Sequence, residues 1–118
     1  MRKLGTHIIA DFYQCNFSKF DNRPILDIQK DISTMIIKND LQELGNYYHF
    51  FGPQAISGVI SLSESHLTFH SWPEYKYLSL DIFVCNFNKN NKKNALSLYQ
   101  DLINYFEPKK IRRKILSR

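Results

Sequence analysis

Two runs, Ile8-Ile9-Ala10 and Ile82-Phe83-Val84-Cys85, are apolar at consecutive positions, and they constrain the fold more than any other feature. Successive side chains of a strand point to opposite faces, so a strand apolar at every position needs burial on both sides. One layer of helices can cover only one face. The other face needs a second cover. A second copy of the same chain supplies it, so a homodimer with sheets packing face to face is expected.

The remaining pattern sets the order of elements. Leu4–Cys15, rich in Ile, Phe and Tyr, reads as a first strand. Asn22-Arg23-Pro24 combines a cap-type residue with proline, a helix-start signal. Ile25, Ile28, Ile32, Met35 and Ile36 then recur at helical spacing and predict a helix over Ile25–Lys38, ended at Asn39-Asp40 by the tolerance of Asn for the left-handed conformation. Asn46–Phe51 reads as a strand broken by Gly52-Pro53. Ser57–Ser63 and His66–His70 form a strand region interrupted near Glu64-Ser65, and Pro73 forces a turn before a strand over Tyr77–Phe87. After the polar loop Asn88–Asn94, the residues Ala95, Leu98, Leu102 and Tyr105-Phe106 predict a helix at about Lys92–Phe106, and Lys110–Leu116 can form an edge strand. The order β-α-β-β-β-α-β predicts an α+β fold, a two-layer sandwich with a mostly antiparallel sheet and two helices on one face. Residues 1–118 read as a single domain.

Composition excludes several classes of function. Hydrophobic residues make up 43% of the chain, which suits a packed globule rather than a disordered segment. The net charge of +5 invites a nucleic-acid reading. Its two basic blocks, Lys89–Lys93 and Lys109–Lys114, lack the interleaved aromatics of a stacking platform, so a solvated helix entrance and a charged edge strand are expected instead. No apolar run approaches the ~20 residues of a spanning helix, and the start lacks the apolar core of a signal peptide, so no membrane partner is expected. Cys15 and Cys85 make no disulfide framework, which fits a reduced, cytoplasmic protein. Cys15 reads as an inert packed thiol and Trp72 as core.

The chemistry concentrates in Ser63-Glu64-Ser65-His66-Leu67-Thr68-Phe69-His70-Ser71-Trp72-Pro73-Glu74-Tyr75. The Ser65 hydroxyl can attack the Glu64 carbonyl and convert the amide to an ester through an oxyanion that needs hydrogen-bond donors. Removal of the Ser65 Cα proton then eliminates the ester and gives dehydroalanine. Hydrolysis with loss of ammonia leaves a pyruvoyl group at position 65. His70 is a suitable base, since imidazole titrates near neutrality. In a straight strand, however, His70 lies about 16 Å from Ser65 at ~3.3 Å per residue, so the contact needs a bend. Cys85 could serve as a buried thiol proton donor. A zinc site from His66, His70, Cys85 and Glu64 and a Cys85–His70 nucleophilic dyad can also be drawn. Neither has supporting spacing or an orienting third group. His66 receives no catalytic role.

Taken together, the motif Ser-Glu-Ser-His-Leu-x-x-His-x-Trp-Pro-Glu-Tyr, the run Leu80–Cys85 and the flanking Leu4-Gly5-Thr6-His7, Phe51 and Ser57-Gly58-Val59 resemble the small prokaryotic, self-processing S-adenosylmethionine decarboxylases. That resemblance implies cleavage between Glu64 and Ser65 into a beta chain, 1–64, and an alpha chain, 65–118. It makes Ser65 the precursor of a pyruvoyl cofactor that forms a Schiff base with the substrate amine, with no metal and no pyridoxal phosphate. Ser57 and His70 match residues that assist processing, with His70 as proton acceptor, and Cys85 matches the catalytic proton donor. Phe51 matches an aromatic that stacks on the substrate, and Glu74 a carboxylate that contacts its ribose. The implied partners are S-adenosylmethionine and a second copy, giving a homodimer of two alpha and two beta chains that feeds spermidine synthesis. Lys76, Ala55 and Asn86 stand where the family commonly has glycine, and Leu78-Ser79-Leu80 is bulkier than usual. Arginine or ornithine therefore stay open as alternative substrates on the same self-cleaving core. A non-cleaving partner subunit or basic binding module is the alternative of another class.

Overall fold

A computed structural model describes residues 4–86 and 89–118. Six strands and two helices follow the expected order: β1 Gly5–Tyr13, α1 Ile25–Lys38, β2 Glu43–Gly52, β3 Ala55–Leu62, β4 Ser65–Trp72, β5 Tyr77–Cys85, α2 Lys92–Phe106 and β6 Lys110–Ser117. Both helices match their expected bounds, and all six strands differ at one or both ends by a few residues. Phe87 and Asn88, expected in the last central strand and its loop, lie outside the described residues, as do the first three residues. Short 3-10 turns at Ser18–Phe20 and Pro73–Tyr75 complete the path. Among the described residues no helix is long and apolar enough to cross a membrane.

The strands form one antiparallel sheet in the order β2-β3-β4-β5-β1-β6. Alternation decides its faces. Ile8 and Phe12 on β1, Ile56 and Ile60 on β3, Leu67 and Phe69 on β4, and Leu78 and Ile82 on β5 are buried. They meet Ile28, Ile32 and Ile36 of α1 and Leu98, Leu102 and Phe106 of α2, forming one core under the helices. Each such side chain contributes about 1.5–3 kcal/mol when fully buried.

The opposite face carries no helix. It presents Ile9, Val59 and Trp72 at 41%, 48% and 40% exposure. Trp72 is therefore not core: it follows Ser71, whose side chain is buried, and alternation turns the indole outward.

Two local expectations at α1 are corrected. The cap position is Pro24, extended at φ −68° and ψ 151°, and no side chain caps the helix. Asn22 instead adopts a left-handed φ of 60° in the approach to the helix. At the other end Asp40, not Asn39, is left-handed. Asn39 stays near helical and its amide donates to Met35 O and Asp101 Oδ2, both at 2.8 Å, which satisfies a terminal carbonyl and ties α1 to α2.

Gly58 lies on the helix side of β3, where a Cβ would sit 2.6 Å from the Phe69 ring. Phe69 is fully buried and has no free direction in which to yield. Gly58→Ala is expected to lower the unfolding free energy by about 1–3 kcal/mol through overpacking, measured by chemical denaturation. Cys15 is buried, and burial pushes its thiol from 9.0 up to about 12. Its unfolded form ionises first, so it subtracts stability only as pH rises above about 9. Cys15 is expected to resist alkylation at pH 8 in the folded protein and to react in denaturant, read by mass.

Candidate active site

Ser63 and Glu64 form the two-residue turn between β3 and β4, with Leu62 paired to Ser65 across it. Ser63 N–H donates to Gln42 O at 3.0 Å and pins the turn to the start of β2. Glu64 is left-handed, φ 55°, a conformation that costs a non-glycine residue about 1–2 kcal/mol. The Glu64 carbonyl, the group Ser65 would attack, thus belongs to a residue held in a disfavoured conformation.

Register places Cys85 beside this turn. His66 pairs with Phe83 on the neighbouring strand, so the ladder runs out at Ser65 and Cys85. There the Cys85 backbone N–H donates to Ser65 Oγ at 2.9 Å. The Cys85 thiol lies 3.7 Å from Glu64 Oε2 and is half-buried rather than buried, contrary to expectation. Asn91, just before α2, donates its side-chain amide to Cys85 O at 2.9 Å, and its own N–H bonds Asn86 Oδ1 at 2.7 Å. These bonds fix the strand end that carries the thiol.

A cleft of about 230 Å³ opens at this cluster, lined by Leu41, Glu64, Ser65, Cys85, Lys89 and Asn91 among others. Lys89 and Asp40 close one side with an ion pair at 2.6 Å, and the ammonium holds the Asp40 carboxyl below its ordinary range.

Ser57 and His70 are direct cross-strand neighbours on β3 and β4. Ser57 Oγ and His70 Nδ1 are 2.8 Å apart on the open face. With hydrogen on Nδ1 the serine oxygen accepts it, and Nε2 is left with the basic lone pair. β4 does not bend back. It runs straight from Ser65 to Trp72, which leaves His70 roughly 16 Å along the strand at ~3.3 Å per residue. Phe51, 73% exposed, ends β2 near Ser57, and Glu74 is exposed in the turn after Trp72. The seven expected residues therefore divide into two groups. Glu64, Ser65 and Cys85 meet at one end of the sheet, and Phe51, Ser57, His70 and Glu74 lie toward the other.

Sequence reasoning missed Asn91, the Asp40–Lys89 pair and a trio on the open face, His7, His66 and Asp81. Asp81 Oδ1 lies 2.9 Å from the Nε2 atoms of both histidines. Asn91 sits in a run of four polar residues before α2 with nothing to mark it out. The trio draws on three strands and leaves no spacing signal.

Comparisons with known proteins bear on the family and the fold. Residues 6–118 match the family model described as S-adenosylmethionine decarboxylase. An S-adenosylmethionine decarboxylase proenzyme of Sulfurihydrogenibium sp. is 32% identical over 117 residues, covering 99% of this chain and 84% of that protein. One from Thermosipho melanesiensis is 42% identical over 85 residues, which span 72% of this chain but only 64% of the relative. The crystal structure of the adenosylmethionine decarboxylase from Aquifex aeolicus superposes with a TM-score of 0.84 at 26% identity, covering 100% of this chain and 92% of that one. The chain belongs to the S-adenosylmethionine decarboxylase family.

Proposed function

We propose that this protein is a self-cleaving proenzyme that decarboxylates S-adenosylmethionine with a pyruvoyl group made from Ser65. One observation carries the reading: Ser65 Oγ bonded to the Cys85 amide, directly after a left-handed Glu64 and next to the Cys85 thiol. Ser65 here stands in for the carbon skeleton of the pyruvoyl group. The surroundings fit its formation, since the Cys85 N–H holds the hydroxyl that attacks Glu64; that oxygen leaves with the Glu64 carboxylate, and Ser65 Cβ becomes the pyruvoyl methyl.

In processing, the O–C bond between Ser65 Oγ and the Glu64 carbonyl forms as the C–N peptide bond breaks. A base then takes the Ser65 Cα proton and the Glu64 carboxylate departs. Addition of water to the remaining dehydroalanine, through its imine, releases ammonia. Fragments 1–64 and 65–118 result. The pyruvoyl group supplies an electron sink for loss of carbon dioxide. Cys85 keeps a proton at Sγ near position 65, and Asn91 holds its backbone. Phe51 offers an exposed ring and Glu74 a carboxylate for the adenosyl part of the substrate.

His70 and Ser57 cannot reach Ser65 of their own protomer along a straight strand. The uncovered face supports a homodimer as the solution. Two sheets packed face to face about a two-fold axis can set the Phe51–Ser57–His70–Glu74 end of one protomer over the Ser65–Cys85 end of the other. The same packing buries Ile9, Val59 and Trp72, which a monomer leaves exposed.

Purified protein is expected as two fragments by intact mass, the second with a blocked terminus. Ser65→Ala is expected to remain one piece, and cutting of that variant at the same bond would refute the acyl shift. Cys85→Ala is expected to process while decarboxylating about 10²–10⁴-fold more slowly, measured as carbon dioxide released from S-adenosylmethionine, with arginine and ornithine in parallel. Normal turnover would assign the proton to another group. Co-expression of His70→Ala with Ser65→Ala chains is expected to restore cutting of the His70→Ala chain, because the intact histidine lies across the dimer. If cutting appears only when both residues share a chain, the face-to-face arrangement is wrong.

A further inference from the structure

His7 and His66 both stand opposite Phe83, one from each strand flanking β5. Neighbouring strands are ~4.8 Å apart, so two strands separate the histidine backbones by nearly 10 Å. Their side chains nevertheless converge two residues along β5, where each Nε2 lies 2.9 Å from the same oxygen, Asp81 Oδ1. The three candidate ligand atoms all fall within 4.8 Å of one another, the one such group among the described residues. Within one protomer His7 is largely enclosed, with 13% of its side chain exposed, while His66 and Asp81 are half-open at 44% and 37%. All three lie on the face that the proposed dimer covers, so the ion would sit between the two sheets. The Phe83 ring forms an apolar wall, 5.9 Å from the His7 ring and 6.0 Å from that of His66.

We propose that His7, His66 and Asp81 form a binding site for one divalent transition-metal ion of the zinc type, separate from the proposed decarboxylation chemistry. The distances fit. Bonds of ~2.0–2.2 Å to nitrogen and oxygen separate adjacent ligands by about 2.9 Å at right angles and ~3.4 Å at tetrahedral angles. The chemistry fits too. Two imidazoles and one carboxylate suit zinc, cobalt, nickel or ferrous iron, whereas magnesium and calcium prefer all-oxygen sets. Three ligands leave positions for water. They come from three adjacent strands hydrogen-bonded to one another, so the ion would staple β1, β4 and β5, and β4 and β5 carry Ser65 and Cys85.

Arg118 makes the site's behaviour specific. Its Nη1 lies 3.3 Å from His7 Nδ1 and its guanidinium 5.6 Å from the centre of the Phe83 ring. Arginine only donates, so His7 Nδ1 accepts and the His7 hydrogen sits on Nε2, shared with Asp81. A metal needs the Nε2 lone pair. Binding therefore moves the hydrogen to Nδ1 and displaces Arg118, which competes with the ion both by charge and by tautomer.

The test titrates Zn2+, Co2+ and Mg2+ into the tag-free, metal-stripped protein as purified, with both fragments of each protomer present, followed by calorimetry, the visible Co2+ spectrum and thermal melting. One Zn2+ or Co2+ per chain is expected, with the melting midpoint rising by about 5–10 °C at 100-fold excess over Kd and no rise with Mg2+. Asp81→Asn and His66→Gln are expected to weaken binding at least tenfold, by analogy with the ~10–100-fold cost of losing even an outer-sphere partner. His49→Gln, on the same face, is expected to leave it unchanged. Arg118→Ala, at an exposed chain end, is expected to tighten it. Absence of saturable binding in the unmodified protein overturns the site, as does binding that survives Asp81→Asn and His66→Gln or that Arg118→Ala leaves the same or weaker. Should the two ligand variants fail to fold, the Arg118→Ala comparison decides alone.

Discussion

The pairing of β4 with β5 is the constraint from which the rest follows. Leu67 opposite Ile82 and Phe69 opposite Leu80 are all buried beneath the helices. A slip of one residue would turn the pair on the shifted strand outward while its partners stayed buried, so hydrophobic burial fixes the register without help from the polar residues. Fixed in that register, the ladder ends with Ser65 against the Cys85 amide. A serine hydroxyl takes the place that a backbone carbonyl would occupy in a continuing sheet. The placement of Ser65 against the Cys85 amide is thus set by the burial of apolar residues on the two strands.

The same alternation that buries one face loads the other. His66, Thr68, His70 and Trp72 point away from the helices along β4, as do Tyr77, Ser79, Asp81 and Phe83 along β5. Polar groups there pair across strands: Ser57 with His70, Asp81 with His7 and His66, and Tyr77 OH with Asp11 at 2.5 Å. Aromatic rings fill the spaces, with Tyr13, Tyr77 and Trp72 stacked in series at 5.4 and 5.3 Å. A face so rich in both kinds of group is organised laterally, within the sheet, and still leaves apolar area uncovered.

Much of this was legible in the sequence because it rests on periodicity. Ile25 to Ile36 at helical spacing gave α1 its bounds, and the consecutive apolar residues of β1 and β5 pointed to a sheet with two faces to cover. Caps were less legible. The Asn22 side chain suggested a helix cap, but the backbone turns left-handed there and Pro24 enters the helix directly. The size of Trp72 argues for burial, whereas its parity in β4 argues against it, and parity prevails. The 16 Å gap between Ser65 and His70 was visible as strand arithmetic. The trio at Asp81 was not, because residues 7, 66 and 81 meet only once strand order is known.

Strain is distributed in a way that bears on cleavage. Among the described residues seven non-glycine positions are left-handed: Gln14, Asn22, Asp40, Gln54, Glu64, Lys76 and Glu107. All lie in connections, where the core does not depend on them. Glu64 differs from the others in having a hydroxyl next in sequence, held by an amide. A cut after Glu64 removes one turn and relieves its unfavourable φ. It leaves β3 and β4 joined through six paired positions from Leu62–Ser65 to Ser57–His70, and β4 still bound to β5 on its other side. Ile60 and Leu67 stay buried on either side of the break. The tight hairpin is therefore a place where the backbone can be severed at little cost to the fold, since the sheet holds both new ends in register through contacts that the lost peptide bond did not supply.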